Sequence, residues 1–199
     1  MTILITGFEP FGCHKTNNSW EVVKTFKNRD RVKVLCLPVS FSRAHYDVID
    51  QLEKQYFDVI IMLGETSVSE DYIRLERVAI NFKDSVNGDN DGENPDEEIL
   101  INGAPVAYFT KFPVKKVARQ LKEAGYPVKV TNSAGTFVCN SLYFNILHYI
   151  EKNQLNTKAL FVHVPASTQV MSLKEMKNTL EEIVNNSLSY KEKRPHECL

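Results

Sequence analysis

The chain has 199 residues, 43% of them hydrophobic and 25% charged, the profile of one folded domain rather than a disordered, fibrous or membrane-spanning chain. Its 24 Lys and Arg stand against 25 Asp and Glu, a formal net charge of -1, so no long-range field draws it to nucleic acid or to an anionic membrane. The N-terminal run Met-Thr-Ile-Leu-Ile-Thr-Gly lacks a basic segment, and the longest apolar stretch, Val59 to Leu63, is too short to span a bilayer; a cytoplasmic protein is expected.

Taken in chain order, the first predicted strand is Thr2 to Thr6, followed by a glycine-bounded loop from Gly7 to Gly12. Asn18 and Ser19 are good capping residues for a first helix through Trp20, Val23 and Phe26. A strand over Val32 to Leu37 leads to a helix that starts at Ser42 and carries Ala44, Val48, Ile49 and Leu52 on one face. Val59 to Leu63 is continuously apolar, as in a strand buried on both faces. From Tyr72 to Ile80 one strand is predicted: Ile73 and Leu75 alternate with Arg74 and Glu76, then Val78-Ala79-Ile80 is continuous, so Glu76 lies where a face changes character. Pro113 suits the first turn of a helix bearing Val117 and Leu121, which stops at Gly125 before Pro127. The strand Val128 to Asn132, a helix following Cys139 (Leu142, Ile146, Tyr149, Ile150), the strand Ala159 to Val164 and a helix from Leu173 to Leu188 complete the pattern. Strands alternating with amphipathic helices imply an α/β domain, its sheet largely parallel and covered by helices. This single domain is expected over residues 1–189, with a charged, frayed tail over 190–199.

Four cysteines, Cys13, Cys36, Cys139 and Cys198, form no CxxC pair, so they read as free thiols, and neither a zinc site nor any other metal or cofactor is expected. Asn87 to Glu98 nearly matches a twelve-residue calcium loop, with Asp89, Asp91, Gly92 and Glu98 in register. Asn at its first position, Pro95 in its back half and a strand-like run ahead of it favour a solvated acidic loop.

Cys139 follows a strand and opens a helix, where the helix dipole and free backbone N–H groups favour a thiolate and can hold an oxyanion. Cys36, within Val34-Leu35-Cys36-Leu37, reads as strand core, whereas Cys13 lies just past the glycine-bounded loop. A nucleophilic thiol needs a base. His163 closes the buried run Leu160 to Val164 at the sheet edge from which the loop before Cys139 emerges. His148 is more than two helical turns beyond Cys139, and His14, His45 and His196 read as surface residues. Glu76 is a candidate to fix the imidazole tautomer, against the alternative of a salt bridge to Arg74 or Arg77.

Five blocks in this order resemble the pyroglutamyl peptidase I family of cytosolic cysteine peptidases: Thr6 to Gly12, Glu76 to Asn81, Gly103 to Phe109, Ser133 to Asn140 and Phe161 to Pro165. The resemblance implies an α/β/α sandwich with a mixed, largely parallel twisted sheet, often assembled as a homotetramer. It implies a thiol exopeptidase that hydrolyses the bond after an N-terminal pyroglutamyl residue, with Cys139, His163 and Glu76 catalytic and Phe8, Phe11 and Val138 walling the lactam pocket. Peptides with N-terminal pyroglutamate are then the partners. Val86-Asn87-Gly88 stands where the family commonly has Arg-Ile-Pro, Cys13 replaces a usual glycine, and Glu65 to Tyr72 departs from a Gly-rich pattern. The lost arginine leaves a second reading open, a family member that binds such peptides without efficient turnover.

Overall fold

A computed structural model describes residues 1–66 and 70–189; the tail expected over 190–199 lies outside the described residues. Its first half comprises β1 (Ile3–Phe8), α1 (Asn18–Val23) continued by a 3-10 turn (Lys24–Phe26), β2 (Val32–Leu37), α2 (Ala44–Lys54) and β3 (Val59–Thr66). Next come β4 (Ile73–Glu76), β5 (Val78–Ile80), β6 (Ala107–Phe109), α3 (Val114–Glu123), β7 (Val128–Thr131), α4 (Val138–Lys152), β8 (Lys158–Pro165) and α5 (Leu173–Ser189).

Six strands form one sheet in the order β2-β1-β3-β8-β4-β7. The first four are mutually parallel, β4 runs antiparallel to β8, and β7 is parallel to β4. The buried central strands send alternate residues to two cores, as the period of two requires. Ile3, Ile5, Ile61, Leu63, Leu160 and Val162 pack against α1, α3 and α5. Leu4, Ile60, Met62, Ala159 and Phe161 pack against α2 and α4. The result is the three-layer α/β/α sandwich with a mixed sheet, and by parity His163 projects to the side of α2 and α4.

Several boundaries differ from expectation. The strand predicted from Tyr72 to Ile80 is two strands in two sheets: the Arg77 amide makes the last bond to β7, at Thr131, and β5 then pairs antiparallel with β6. Three-residue β6 leaves too little period to detect. Asn140 of α4 takes the place of a neighbouring strand for β5, accepting from the Ile80 amide and donating to the Ile80 and Phe82 carbonyls. Those bonds hold the start of α4 in place. Asn17 rather than Asn18 or Ser19 caps α1, α2 starts at Ala44 instead of Ser42, and Pro113 precedes the first residue of α3. Cys36 is exposed rather than core, because β2 is an edge strand with half-buried and exposed positions along it. His45 is half-buried, with an unpartnered Nδ1, and burial lowers its pKa.

Candidate active site

Glu76 ends β4 on the face shared with His163, fully buried at 0% exposure, and its two oxygens are both engaged. Oε1 lies 2.8 Å from His163 Nδ1, and Oε2 accepts from Thr131 Oγ1 at 2.6 Å. A carboxylate can only accept, so the imidazole proton sits on Nδ1 and Nε2 keeps its lone pair. Neither Arg74 nor Arg77 takes this carboxylate; Arg74 is clamped by Glu70 instead. The Phe161 ring, 4.8 Å from the imidazole centroid, and the Tyr143 hydroxyl, donating to the Glu76 carbonyl, complete the packing.

Cys139 is the second residue of α4, whose first amides have no carbonyl partner one turn back. Gly64 lets its thiol lie on the strand next to that of His163. In the β3–β8 register Gly64 pairs with His163, and a Cβ built on Gly64 would fall 2.7 Å from Cys139 Sγ and 3.0 Å from Phe161 Cζ. Only glycine lets the thiol rest on β3, one strand spacing of about 4.8 Å from the histidine strand. Burial there, ahead of the Glu76 and Glu65 carboxylates, pushes the Cys139 thiol up to about 12, against the lowering effect of a backbone amide. The helix terminus alone favours thiolate, as the sequence suggested, but desolvation outweighs it, so the resting group is a neutral thiol.

Beside Cys139 opens a cavity of about 220 Å³ lined by Phe8, Phe11, Val39, Phe137 and Val138, with Asn17 and Glu65 as its polar side chains. Phe8, Phe11 and Val138 were expected there. Val39, Phe137, Asn17 and Glu65 were not, because three of them sit on loops and Glu65 lies next to the end of a strand, β3, whose register cannot be read locally. Phe137 is wedged between Phe11 and Phe41, with ring centroids 5.2 Å from each. Asn17 is committed to structure, donating to the Glu9 carbonyl and accepting from the Ser19 amide and hydroxyl. Glu65 accepts from the Asn18 amide, and burial raises its carboxyl pKa. A larger cavity of about 570 Å³ opens at the opposite ends of the strands, by Met1, Val59 and Lys158, and contains none of the candidate residues.

The calcium-like loop has a mechanical role. Asp89 is buried and accepts from the amides of Phe41, Asp91 and Glu93, Asp91 pairs with Arg43, and Lys83 bridges Glu93 and Glu98. Asn90 donates to Glu9 and to the Pro10 carbonyl, tying this loop to the one that follows Phe8 and carries Phe11. It is thus a buttress of the pocket rather than only a solvated loop, and among the described residues no cluster of three His, Cys, Asp or Glu could hold a metal. Val86 is 89% exposed on its outer side, and Cys13 is exposed nearby in sequence to Phe11.

The sequence profile of the pyroglutamyl peptidase family matches residues 1–190. Among curated relatives, the pyrrolidone-carboxylate peptidase of Thermococcus kodakarensis is 44% identical over 171 residues, covering 84% of this chain and 82% of that protein. The enzyme of that name from Brachyspira hyodysenteriae is 41% identical over 172 residues, covering 85% of each chain. Among solved structures, pyroglutamyl peptidase I of Bacillus amyloliquefaciens superposes with a TM-score of 0.90 at 29% identity, covering 95% of this chain and 97% of that one.

Proposed function

The chain belongs to the pyroglutamyl peptidase family, and from that premise we propose that Cys139, His163 and Glu76 perform its reaction on a substrate held by Phe8, Phe11 and Val138. The reaction is hydrolysis of the peptide bond after an N-terminal pyroglutamyl residue. The observation that carries the residue assignment is the buried Glu76–His163 hydrogen bond on the strand next to Gly64, over which the Cys139 thiol lies.

Cys139 Sγ attacks the pyroglutamyl carbonyl carbon as its proton passes to His163 Nε2, forming the C–S bond. The oxygen takes the displaced electron pair and is held by the free amides at the start of α4. Collapse breaks the C–N bond, and His163 hands the proton to the leaving amine. Water, deprotonated by His163, then attacks the thioester, and the thiol leaves with the returned proton. Throughout, Glu76 fixes the tautomer and stabilises the transient imidazolium. An uncharged five-membered lactam suits a small apolar cavity with few polar groups, and the Glu65 carboxyl is positioned to meet the ring amide. Engagement of both Glu76 oxygens, one of them on His163 Nδ1, favours turnover over mere binding, even with Val86 in place of arginine.

The same reading takes residues 1–189 as a single peptidase domain in the cytoplasm, assembled as a homotetramer. Family resemblance supports the location and the assembly, and light scattering should return four times the 22.8 kDa chain mass; a monomer in solution would refute the assembly. No helix among the described residues is long and apolar enough to cross a membrane.

Substrate choice tests the function directly. Pyroglutamyl amides should be cleaved with a kcat/KM about 10⁴ above that for prolyl or alanyl amides, since a site built to hydrogen-bond a group rejects analogues lacking it by about that factor. Equal turnover of prolyl and pyroglutamyl amides would rule the reading out.

A further inference from the structure

We propose that Arg74, backed by Lys129, is a subsite for the C-terminal carboxylate of the residue released, so that pyroglutamyl dipeptides with a free C-terminus are preferred substrates; this rests on the peptidase reading above. The argument is one of strand order. Substrate-cavity residues Phe8 and Glu65 belong to β1 and β3, and Cys139 lies over β3. His163 follows on β8, then Arg74 on β4 and Lys129 on β7. Arg74 pairs with His163 across β4–β8 and with Lys129 across β4–β7.

Directly paired residues project from the same face, so His163, Arg74 and Lys129 form a row, with Arg74 about 5 Å and Lys129 about 10 Å from the histidine backbone. A substrate with its ring over β1 and β3 and its scissile bond between Cys139 and His163 must send its leaving residue over β4. The leaving nitrogen has to meet His163 to be protonated. In a dipeptide the carboxylate begins two bonds beyond that nitrogen, within the span of an arginine side chain on the adjacent strand.

Charge points the same way. Like charges directly opposite on neighbouring strands are destabilising, yet Arg74 and Lys129 face one another with Glu70, on Arg74, as the carboxylate that compensates them. Glu70 engages Arg74 through Nε and Nη2, leaving Nη1 without a hydrogen-bond partner among the described residues. The Lys129 ammonium rests on the Tyr72 ring, 3.6 Å from its centroid, a contact that neutralises nothing. Glu76 is occupied by His163 and Thr131. Two cations therefore stand against the single carboxylate of Glu70, with Arg74 half-buried and Lys129 exposed. An anion arriving beside His163 completes the row. In a longer peptide or an amide the same place holds a neutral carbonyl, a weaker acceptor for guanidinium.

The test compares kcat/KM for pyroglutamyl-alanine and pyroglutamyl-alanine amide on one enzyme preparation, so that the ratio does not depend on the folded fraction. Wild-type protein should favour the free carboxylate by about tenfold, through KM, as expected for one charge-assisted contact. Arg74→Gln should bring the ratio close to one, and Arg74→Lys should restore part of it. Equal rates for the two substrates in wild type, or an unchanged ratio in Arg74→Gln, would overturn the subsite while leaving the peptidase reading intact. Cleavage of neither substrate would overturn both.

Discussion

Cys139→Ala is expected to lower kcat/KM for a pyroglutamyl amide by at least about 10⁴-fold, the scale on which removal of a nucleophile acts in comparable hydrolases. Single-turnover and steady-state assays check it, with thermal melting to show that the fold survives. The thiol lies over Gly64, and the aromatic side chains Phe8, Phe11 and Phe137 of the cavity are untouched by the change, so binding of the ring should persist and the loss should fall on kcat. Retention of more than a few per cent of the rate would remove Cys139 from the mechanism. The buried thiol adds a condition. With burial holding it up at about 12, only a small fraction of Cys139 is thiolate at neutral pH. Were that fraction the attacking species, the rate would climb tenfold with each alkaline pH unit. Transfer of the proton to His163 during attack needs no preformed thiolate, so that alkaline climb is not expected.

How much of this was legible before the structure depends on whether the signal was local. The buried runs at Val59 to Leu63 and Leu160 to Val164, and the strand-to-helix turn at Cys139, are local patterns, and each sits where the pattern put it. Glu76 could be singled out because burial changes beside it. The pocket wall was half legible: Phe8, Phe11 and Val138 came from resemblance, whereas Val39 and Phe137 reach the cavity only through loop packing. What the sequence concealed was register. Gly64 opposite His163 sets the thiol on the strand beside the histidine, and His163 opposite Arg74 opposite Lys129 creates the basic row. Both arise from pairings between strands far apart in the chain, which no window of neighbouring residues records. Cys36 failed for the same kind of reason, since an apolar run does not reveal that its strand lies at the edge of the sheet.

Glu76→Gln is the most informative change to the acid–base pair, because it preserves volume and reverses the direction of one hydrogen bond. Thr131 donates to Oε2, which makes the side-chain carbonyl oxygen of a glutamine best placed beside Thr131. Its NH₂ group then faces His163 Nδ1, where Oε1 of Glu76 stood. An amide N–H can only donate there, so Nδ1 must accept and the imidazole proton moves to Nε2. A protonated Nε2 has no lone pair for the Cys139 proton, and the nearby negative charge that supports an imidazolium is gone as well. A loss of about 10⁴ in kcat is expected, the size seen when the acid of a Ser-His-Asp triad is replaced by its amide. The control is Glu76→Asp, which keeps the charge but shortens the reach and should lose less, with much of the deficit in geometry. Comparing kcat across Gln, Asp and wild type, with ¹⁵N chemical shifts of His163 reporting which ring nitrogen carries the proton, separates tautomer control from simple packing. Should the Gln variant keep its proton on Nδ1 and still lose activity, Glu76 acts through charge and not through the tautomer; should it keep near-wild-type kcat, Glu76 is a structural partner of His163 and the proposed triad reduces to a pair.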